Sequence, residues 1–207
     1  MISEAATRAV VAVGSGRGFV VRSTQGVRDR LIITAAHCLP RFPPCNGASY
    51  VHERTYQGLL ASLGGEPSVW TECLFADPIG DLAVLGPPDG QELPEQWEGY
   101  DDLVESADSL MIADAPKQGP AWLLSLGNRW TRCTVRHSGG SLWISDATDG
   151  IRAGMSGSPV LADDGSAIGV VCTSAGTSGD QLYTEGGPNP RLIGNLPGWC
   201  IKSLASQ

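Results

Sequence analysis

Residues 154–159 read Gly-Met-Ser-Gly-Ser-Pro, and the apolar pair Val160-Leu161 follows them directly. Ser156 therefore lies in a glycine-rich turn that leads into a strand. Glycine permits such a turn because it adopts backbone angles that other residues resist. Backbone N–H groups in a tight turn can stabilise a developing oxyanion, an effect of roughly 3–4 kcal/mol per donor. The turn makes Ser156 a candidate nucleophile.

Two upstream segments supply the other groups that acyl transfer needs. His37 lies in Thr-Ala-Ala-His-Cys at the exit of the apolar run 31–33, and Asp81 immediately precedes the apolar run 82–85. A serine hydroxyl is a weak nucleophile and needs an adjacent base. Imidazole can take the proton and return it, and a buried carboxylate fixes the imidazole tautomer. The three segments together predict acyl-transfer chemistry.

Composition excludes several other classes of protein. The chain has 207 residues, 42% of them apolar, with 22 acidic and 14 basic residues and a net charge of −8. The apolar share is enough to bury a core, and no apolar run approaches the ~18–20 residues that span a bilayer. The acidic balance disfavours nucleic acid. The N-terminus carries Glu4 where a signal peptide has basic residues, so we expect a cytoplasmic protein with neither membrane nor nucleic acid as a partner.

The six cysteines are expected to be reduced thiols, because a chain of this length can build its own core without disulfides. One or more disulfides remain an alternative. A zinc site is a weaker one, because its residues lack the closely spaced cysteine pair typical of such sites; it would use Cys38, Cys45, His52 and Cys73. We predict no metal site and no cofactor.

Short Val-, Ile- and Leu-rich runs between turn residues predict an all-β chain. The candidate strands are 8–13, 18–22, 30–34, 69–75, 82–85, 109–113, 121–126, 131–136, 141–145, 159–161 and 168–173. Residues 86–102 are acidic and contain three prolines, so they are predicted to be a connector. Residues 186–190 are expected to form a loop, and 190–206 a short or broken helix.

These motifs resemble those of the chymotrypsin-like, or trypsin-like, serine peptidases. The histidine, aspartate and serine segments look like that family's three motifs, and residues 14–21 look like its first hairpin. The resemblance implies two packed six-stranded antiparallel Greek-key β-barrels with a short C-terminal helix. It divides the chain into an N-terminal barrel at 1–88, a connector at 89–103, a C-terminal barrel at 104–189 and a tail at 190–207.

The resemblance also implies a role for each site residue. His37 would be the general base, Asp81 its orienting carboxylate and Ser156 the nucleophile. The amides of Gly154 and Ser156 would form the oxyanion hole. The residues expected to bind substrate are Gly150, Arg152, Cys172, Thr173 and Ser174.

The chain departs from the family's secreted members in three places. Met155 stands where they carry the acid that pairs with a newly cut N-terminus, so we expect activation by N-terminal insertion to be absent. No cysteine precedes Cys38 to form the family's usual bridge, and Arg152 stands where they have a cysteine. Both cysteine losses are typical of a reducing compartment.

Three preferences for the substrate side chain stay open. Gly150 at the base of the pocket favours an uncharged residue. Arg152, if it projected inward, would favour an acidic one. A loop shift of one residue would bring Asp149 to the base and favour a basic one.

The leading hypothesis is a serine endopeptidase that acts on a protein or peptide substrate. One alternative is a binding or scaffold module with the same fold and no turnover. Another is an esterase, which the His–Asp–Ser order and the strand after Ser156 argue against. An intracellular protease without a zymogen switch needs another control of its activity. An activating partner or a covalently linked sensor domain would supply that control. Similar domains occur in signalling and bacterial defence systems.

Overall fold

The computed structural model describes residues 2–22, 30–44, 51–172 and 183–204. Two six-stranded antiparallel sheets form the body of the chain. Helices are few and short, and none within the described ranges is long and apolar enough to cross a bilayer.

The first sheet closes on itself as a barrel with the strand order β1-β2-β3-β6-β5-β4. The ladder between β1 and β4 completes the ring and pairs Val11 with Ser62. Apolar side chains, above all β-branched ones, fill the interior because they pack well on a pleated surface. The strands are β1 (Val10–Val13), β2 (Gly16–Arg22), β3 (Arg30–Thr34), β4 (Thr55–Ser62), β5 (Val69–Asp77) and β6 (Leu82–Gly86).

The second sheet has the order β11-β10-β7-β8-β9-β12 and is barrel-like. The two sheets together give the double-barrel fold that the family resemblance implies. Leu124 and Leu161 of this sheet belong to the same buried cluster as the first barrel, so the two halves pack on each other. The strands are β7 (Gln118–Leu124), β8 (Trp130–Ser138), β9 (Ser141–Ser145), β10 (Pro159–Leu161), β11 (Ala167–Val170) and β12 (Gly186–Asn189).

Most of the segment predicted as a connector, 89–103, lies in a helix that the sequence analysis does not predict. The described helices are α1 (Glu4–Arg8), α2 (Val51–Arg54), α3 (Pro94–Ser106), α4 (Leu192–Asn195) and α5 (Gly198–Leu204). Helix α3 begins with proline in its first turn, where the missing N–H costs nothing. It buries Tyr100, Leu103 and Val104 against the first barrel. The last two helices fulfil the prediction of a broken C-terminal helix.

Residues 109–113 do not form the strand that the sequence predicts. Leu110 makes an isolated bridge to Val21 of β2, and Ile112 makes one to Ala167 of β11. The segment therefore runs between the two sheets without pairing continuously with either one. The predicted loop at 186–190 is also wrong, because β12 occupies most of it. Strand β4 and helix α1 were not predicted.

Candidate active site

His37 and Asp81 meet at the mouth of the first barrel. Strand β3 ends at Thr34, and a short 3₁₀ turn over Ala36–Cys38 carries His37 outward. The His37 ring Nδ1 lies 2.6 Å from Asp81 Oδ2, and its main-chain N–H donates to Oδ1 at 2.9 Å. Because Nδ1 is engaged by the carboxylate, the ring presents Nε2 as its acceptor.

A tight turn before β6 delivers the Asp81 carboxylate. Asp77 Oδ1 accepts hydrogen bonds from the amides of Ile79 at 3.0 Å and Gly80 at 2.9 Å. Asp81 follows with a φ of +55°, a left-handed conformation that is uncommon outside glycine. The side-chain bonds of Asp77 thus hold the backbone shape that turns Asp81 towards His37.

The contact between these residues shifts both pKa values. Burial works against the charged carboxylate of Asp81, but the hydrogen bonds from His37 outweigh it and hold the Asp81 pKa below its ordinary value. The hydrogen bond that His37 donates to Asp81 raises the pKa of His37, although partial burial of the ring opposes this. The pair therefore favours an ionised carboxylate beside a more basic imidazole.

Ser156 lies in a turn that two left-handed glycines shape, Gly154 with φ +87° and Gly157 with φ +82°. The Gly157 amide donates to Val171 O at 2.7 Å, and Met155 is buried below the turn. The Met155 sulfur accepts the Arg152 amide at 3.4 Å. Within the described part of the chain, the amides of Gly154 and Ser156 donate no hydrogen bond. They remain available as a pair of donors.

The first barrel's hairpin holds the Ser156 turn beside the histidine. The Arg17 amide donates to Ser156 O at 2.7 Å. A Cβ on Gly16 would lie 2.8 Å from the same oxygen and 2.6 Å from the sulfur of Cys38, the neighbour of His37. Ser156 and the His37 segment therefore converge on Gly16, and no side chain fits between them.

A cavity of about 400 Å³ opens next to the Ser156 turn. Gly150 and Arg152, two of the residues predicted to bind substrate, line it together with Met155. Asp149 also lies on its wall and forms an ion pair with Arg129 at 3.4 Å. Two of the other predicted substrate-binding residues, Thr173 and Ser174, fall outside the described residues.

Cys172 lies behind Asp81 and is not among the residues that line this cavity. Its thiol donates to the main-chain oxygen of Asp81 at 3.1 Å, and its amide donates to Asn189 Oδ1 at 2.8 Å. Burial raises the pKa of the thiol, so it stays protonated as a donor. The described contacts place Cys172 against Asp81, and its predicted role in substrate binding stays a prediction.

The described residues contain no cluster of side chains that could hold a metal ion. Of the zinc ligands considered, Cys38 and Cys73 are each buried, and Cys45 lies outside the described residues. None of the five described cysteines forms a disulfide.

Sequence reasoning missed two residues that shape the site. Asp77 has a local signal, because Asp-Pro-Ile-Gly at 77–80 is a typical turn sequence. Arg17 also has a local signal in the sequence, because it is the only charged residue in the run 9–21, which otherwise contains glycines, a serine and apolar residues. A lone charge in a strand with buried neighbours indicates a specific partner.

Comparison with known proteins identifies the family of the chain. The sequence model of the trypsin-like peptidase domain family matches residues 16–170. No curated protein matches the sequence.

The fold is similar to solved protease structures of low sequence identity. An inactive form of the Rv3671c protease aligns with a TM-score of 0.50 and 20% identity, over 88% of this chain and 83% of that one. The Ser343Ala mutant of Rv3671c from M. tuberculosis H37Rv, also an inactive form, aligns with a TM-score of 0.53 and 19% identity, over 99% of this chain and 90% of that one. A human pathogenic astrovirus serine protease aligns with a TM-score of 0.51 and 16% identity, over 95% of this chain and 96% of that one.

The chain belongs to the trypsin-like peptidase domain family. Its class of enzyme is accordingly the serine endopeptidase with a chymotrypsin-like double barrel.

Proposed function

We propose that the chain hydrolyses peptide bonds through Ser156, His37 and Asp81 by way of an acyl-enzyme intermediate. The observation that carries the proposal is the double hydrogen bond from His37 to Asp81 beside a serine turn. Bonding at Nδ1 leaves Nε2 as the base that a serine nucleophile requires.

In the first step, Ser156 Oγ attacks the carbonyl carbon of the substrate and His37 Nε2 takes its proton. The imidazolium that forms is stabilised by the ionised Asp81. His37 then returns the proton to the leaving amine as the C–N bond breaks, which leaves an ester on Ser156. Water, activated by the same imidazole, hydrolyses that ester and releases the acid product.

The amides of Gly154 and Ser156 stabilise the negative oxygen of each tetrahedral intermediate. Neither amide donates to an acceptor among the described residues, which supports this role, because a donor already bonded to a carbonyl would have to break that bond first. Such a preorganised donor contributes roughly 3–4 kcal/mol.

The substrate side chain before the cleaved bond enters the cavity lined by Gly150, Arg152 and Met155. Among the described residues on its wall, Arg129 and Arg152 outnumber the carboxylate of Asp149, and Asp149 is paired with Arg129. A carboxylate side chain therefore meets a more favourable field than an ammonium group does. Matched peptides with Glu or Lys at this position test the preference, and faster cleavage after Lys would contradict it.

We further propose that the enzyme works in a reducing compartment such as the cytoplasm, as a regulated peptidase in a signalling or defence system. The disulfide-free cysteines among the described residues and the apolar Met155 in place of an activating acid support this. An activating partner or linked sensor domain would then control the site.

A fluorophosphonate probe tests the proposed nucleophile directly. We expect the wild type to be labelled and Ser156→Ala not to be, while Ser138→Ala, an exposed serine at the end of β8, is labelled like the wild type. Hydrolysis of a peptide library by the wild type but not by Ser156→Ala would separate an endopeptidase from an esterase.

Failure of the wild type to react, alone and with candidate partners, would overturn the proposal. Equal partner binding by the wild type and Ser156→Ala, with no turnover by either, would favour the scaffold alternative.

A further inference from the structure

Arg17 is a buried cation that is bonded to main-chain oxygens. It lies in β2 with 6% of its surface exposed. Its guanidinium donates to the carbonyls of Leu124 at 3.0 Å, Ser125 at 3.1 Å and Leu126 at 3.5 Å, and to Asn128 Oδ1 at 3.1 Å. No carboxylate of the described residues forms an ion pair with it. The Arg17 side chain thus donates hydrogen bonds to four oxygens in and beside the turn between β7 and β8.

Burying an arginine at this position has an unfavourable desolvation free energy, which indicates that the guanidinium has a specific role. Burial disfavours the charged guanidinium and lowers the Arg17 pKa. An apolar side chain would fill the same space without that desolvation cost. Only a fork of N–H donors, however, can bind several oxygens of one turn at once. The guanidinium therefore fixes the shape of the 124–128 turn.

The backbone of the same residue holds the nucleophile turn. The Arg17 amide donates to Ser156 O at 2.7 Å, and Thr34 Oγ1 donates to the Arg17 carbonyl at 2.6 Å. Gly157 approaches so closely that a Cβ there would lie 1.7 Å from the Arg17 oxygen. Arg17 is consequently in direct contact with both turns of the second barrel that border the candidate site.

The 124–128 turn lies next to the candidate oxyanion hole. The Leu126 methyl Cδ2 lies 3.4 Å from the point where a Gly154 Cβ would be. Leu126, Gly127 and Met155 all line the cavity. Because Leu126 lies next to Gly154, a shift of this turn would change the space into which Gly154 can move.

We propose that Arg17 is a positioning residue: it binds the 124–128 turn and the Ser156 turn together and so keeps the Gly154 amide directed at the reacting oxygen. This inference rests on the proposed function of Ser156 and the Gly154 amide. Arg17 touches neither substrate nor reacting atoms and acts through the two turns.

Arg30 offers a matched control, because it is a second arginine of the first barrel that binds main-chain oxygens. It lies in β3 and donates to the carbonyls of Val104 and Ala107 at the end of α3. Its side chain is 15% exposed. Replacing either arginine by Met removes a guanidinium that binds carbonyls, but only Arg17 contacts the Ser156 turn.

The test compares Arg17→Met with Arg30→Met at a temperature where both are folded by circular dichroism. We expect both variants to have a lower Tm than the wild type. Arg17→Met should lower kcat by roughly 10–100-fold with KM changed less than about threefold, because only transition-state stabilisation is lost. Arg30→Met should keep kcat within about twofold. Arg17→Met with the kcat of Arg30→Met would overturn the proposal.

Amide hydrogen exchange separates this inference from the proposed function, because it needs no activity. In Arg17→Met, amides at 124–128 and 154–156 should exchange faster than in the wild type and in Arg30→Met. Unchanged exchange at 154–156 would overturn the inference even if Ser156 is labelled by the probe. Absence of labelling in the wild type would instead refute the proposed function.

A milder variant is available if Arg17→Met does not fold. Asn128 has a φ of +56°, so Asn128→Gly removes one oxygen bound by Arg17 without imposing a side chain on that backbone. We expect kcat to fall by about 2–5-fold and exchange at 154–156 to rise. Wild-type values of both would contradict the proposal.

Discussion

Asp81 accepts two hydrogen bonds from one residue, His37, through the ring Nδ1 at 2.6 Å and through the main-chain amide at 2.9 Å. The carboxylate therefore fixes both the imidazole and the backbone that carries it. The bond to Nδ1 limits rotation of the ring about its χ angles, and the bond from the amide holds the backbone of the same residue. The orientation of the proposed base thus depends on a single carboxylate.

Replacing Asp81 by Asn should lower kcat by ~10³–10⁴-fold, because the amide NH₂ facing Nδ1 favours the wrong imidazole tautomer. Steady-state hydrolysis of a peptide substrate measures the loss. Asp146→Asn is the control, because Asp146 has the same φ of +55° but follows β9, outside the candidate site. Wild-type kcat in Asp81→Asn would refute the proposed role.

The pH dependence of kcat/KM should have an ascending limb with a pKa above the ordinary 6.5 of histidine. The base must be neutral, so activity is lost as acid protonates His37 and gained as the pH rises through its raised pKa. Asp81→Asn should move this limb to lower pH, since the bond that raises the pKa is removed. A limb at the same pH in both proteins would disagree with this cause.

The same pair should stabilise the fold within a defined pH window. The raised His37 pKa contributes stability that is fully present below 6.5 and is lost as the pH rises through the folded value. The lowered Asp81 pKa contributes stability that is present above 3.8 and is lost as the pH falls through the folded value. The Tm difference between wild type and Asp81→Asn should therefore be largest between about pH 4 and 6.5. A difference that does not vary with pH would contradict this linkage.

Gly157→Ala should be far more destabilising than its backbone conformation alone explains. Gly157 and Gly140 have φ values of +82° and +83°, but a Cβ on Gly140 meets nothing within 4 Å, while one on Gly157 would overlap the Arg17 oxygen. We expect Gly140→Ala to cost about 1–2 kcal/mol and Gly157→Ala more than about 4 kcal/mol. Urea denaturation measures both values, and equal costs would show that the close approach to Arg17 is absent.

The five described cysteines should be unreactive in the folded protein. Burial raises the pKa of Cys73 to about 11 and those of Cys133 and Cys200 to about 12, and it also raises those of Cys38 and Cys172. Because the thiolate is the reactive form, a Cys45→Ser variant should react with a thiol–disulfide exchange reagent only after unfolding in urea. Rapid release of one or more equivalents from the native variant would contradict this burial.

The sequence predicted the strands best where apolar runs are short and bounded by turn residues. Strands β3, β9 and β10 have the predicted bounds for this reason. Helix α3 was missed because its acidic sequence contains Gly99 and buries only a few residues, so tertiary packing and not local propensity determines it. Strand β12, Gly-Gly-Pro-Asn, has no strand propensity of its own and depends on its ladder with β9.

The candidate site was predictable to the extent that each residue carries a local motif. His37, Asp81 and Ser156 follow or precede recognisable strands. No local motif indicates the role of Arg17, because the first carbonyl that its guanidinium binds, that of Leu124, lies 107 residues further along the chain. Only the packing of the two barrels brings these groups together. The same holds for Cys172, whose partner Asp81 lies 91 residues earlier.

The continuous ring of strands in the first barrel limits how other chains can bind to it. Among the described residues, each strand from β1 to β6 has a hydrogen-bonded neighbour strand on both sides, so this sheet has no edge strand. An extended peptide cannot join this half as a seventh strand, and neither can a second copy of the protein. A partner that recognises the first barrel must therefore do so through its side chains and connecting turns.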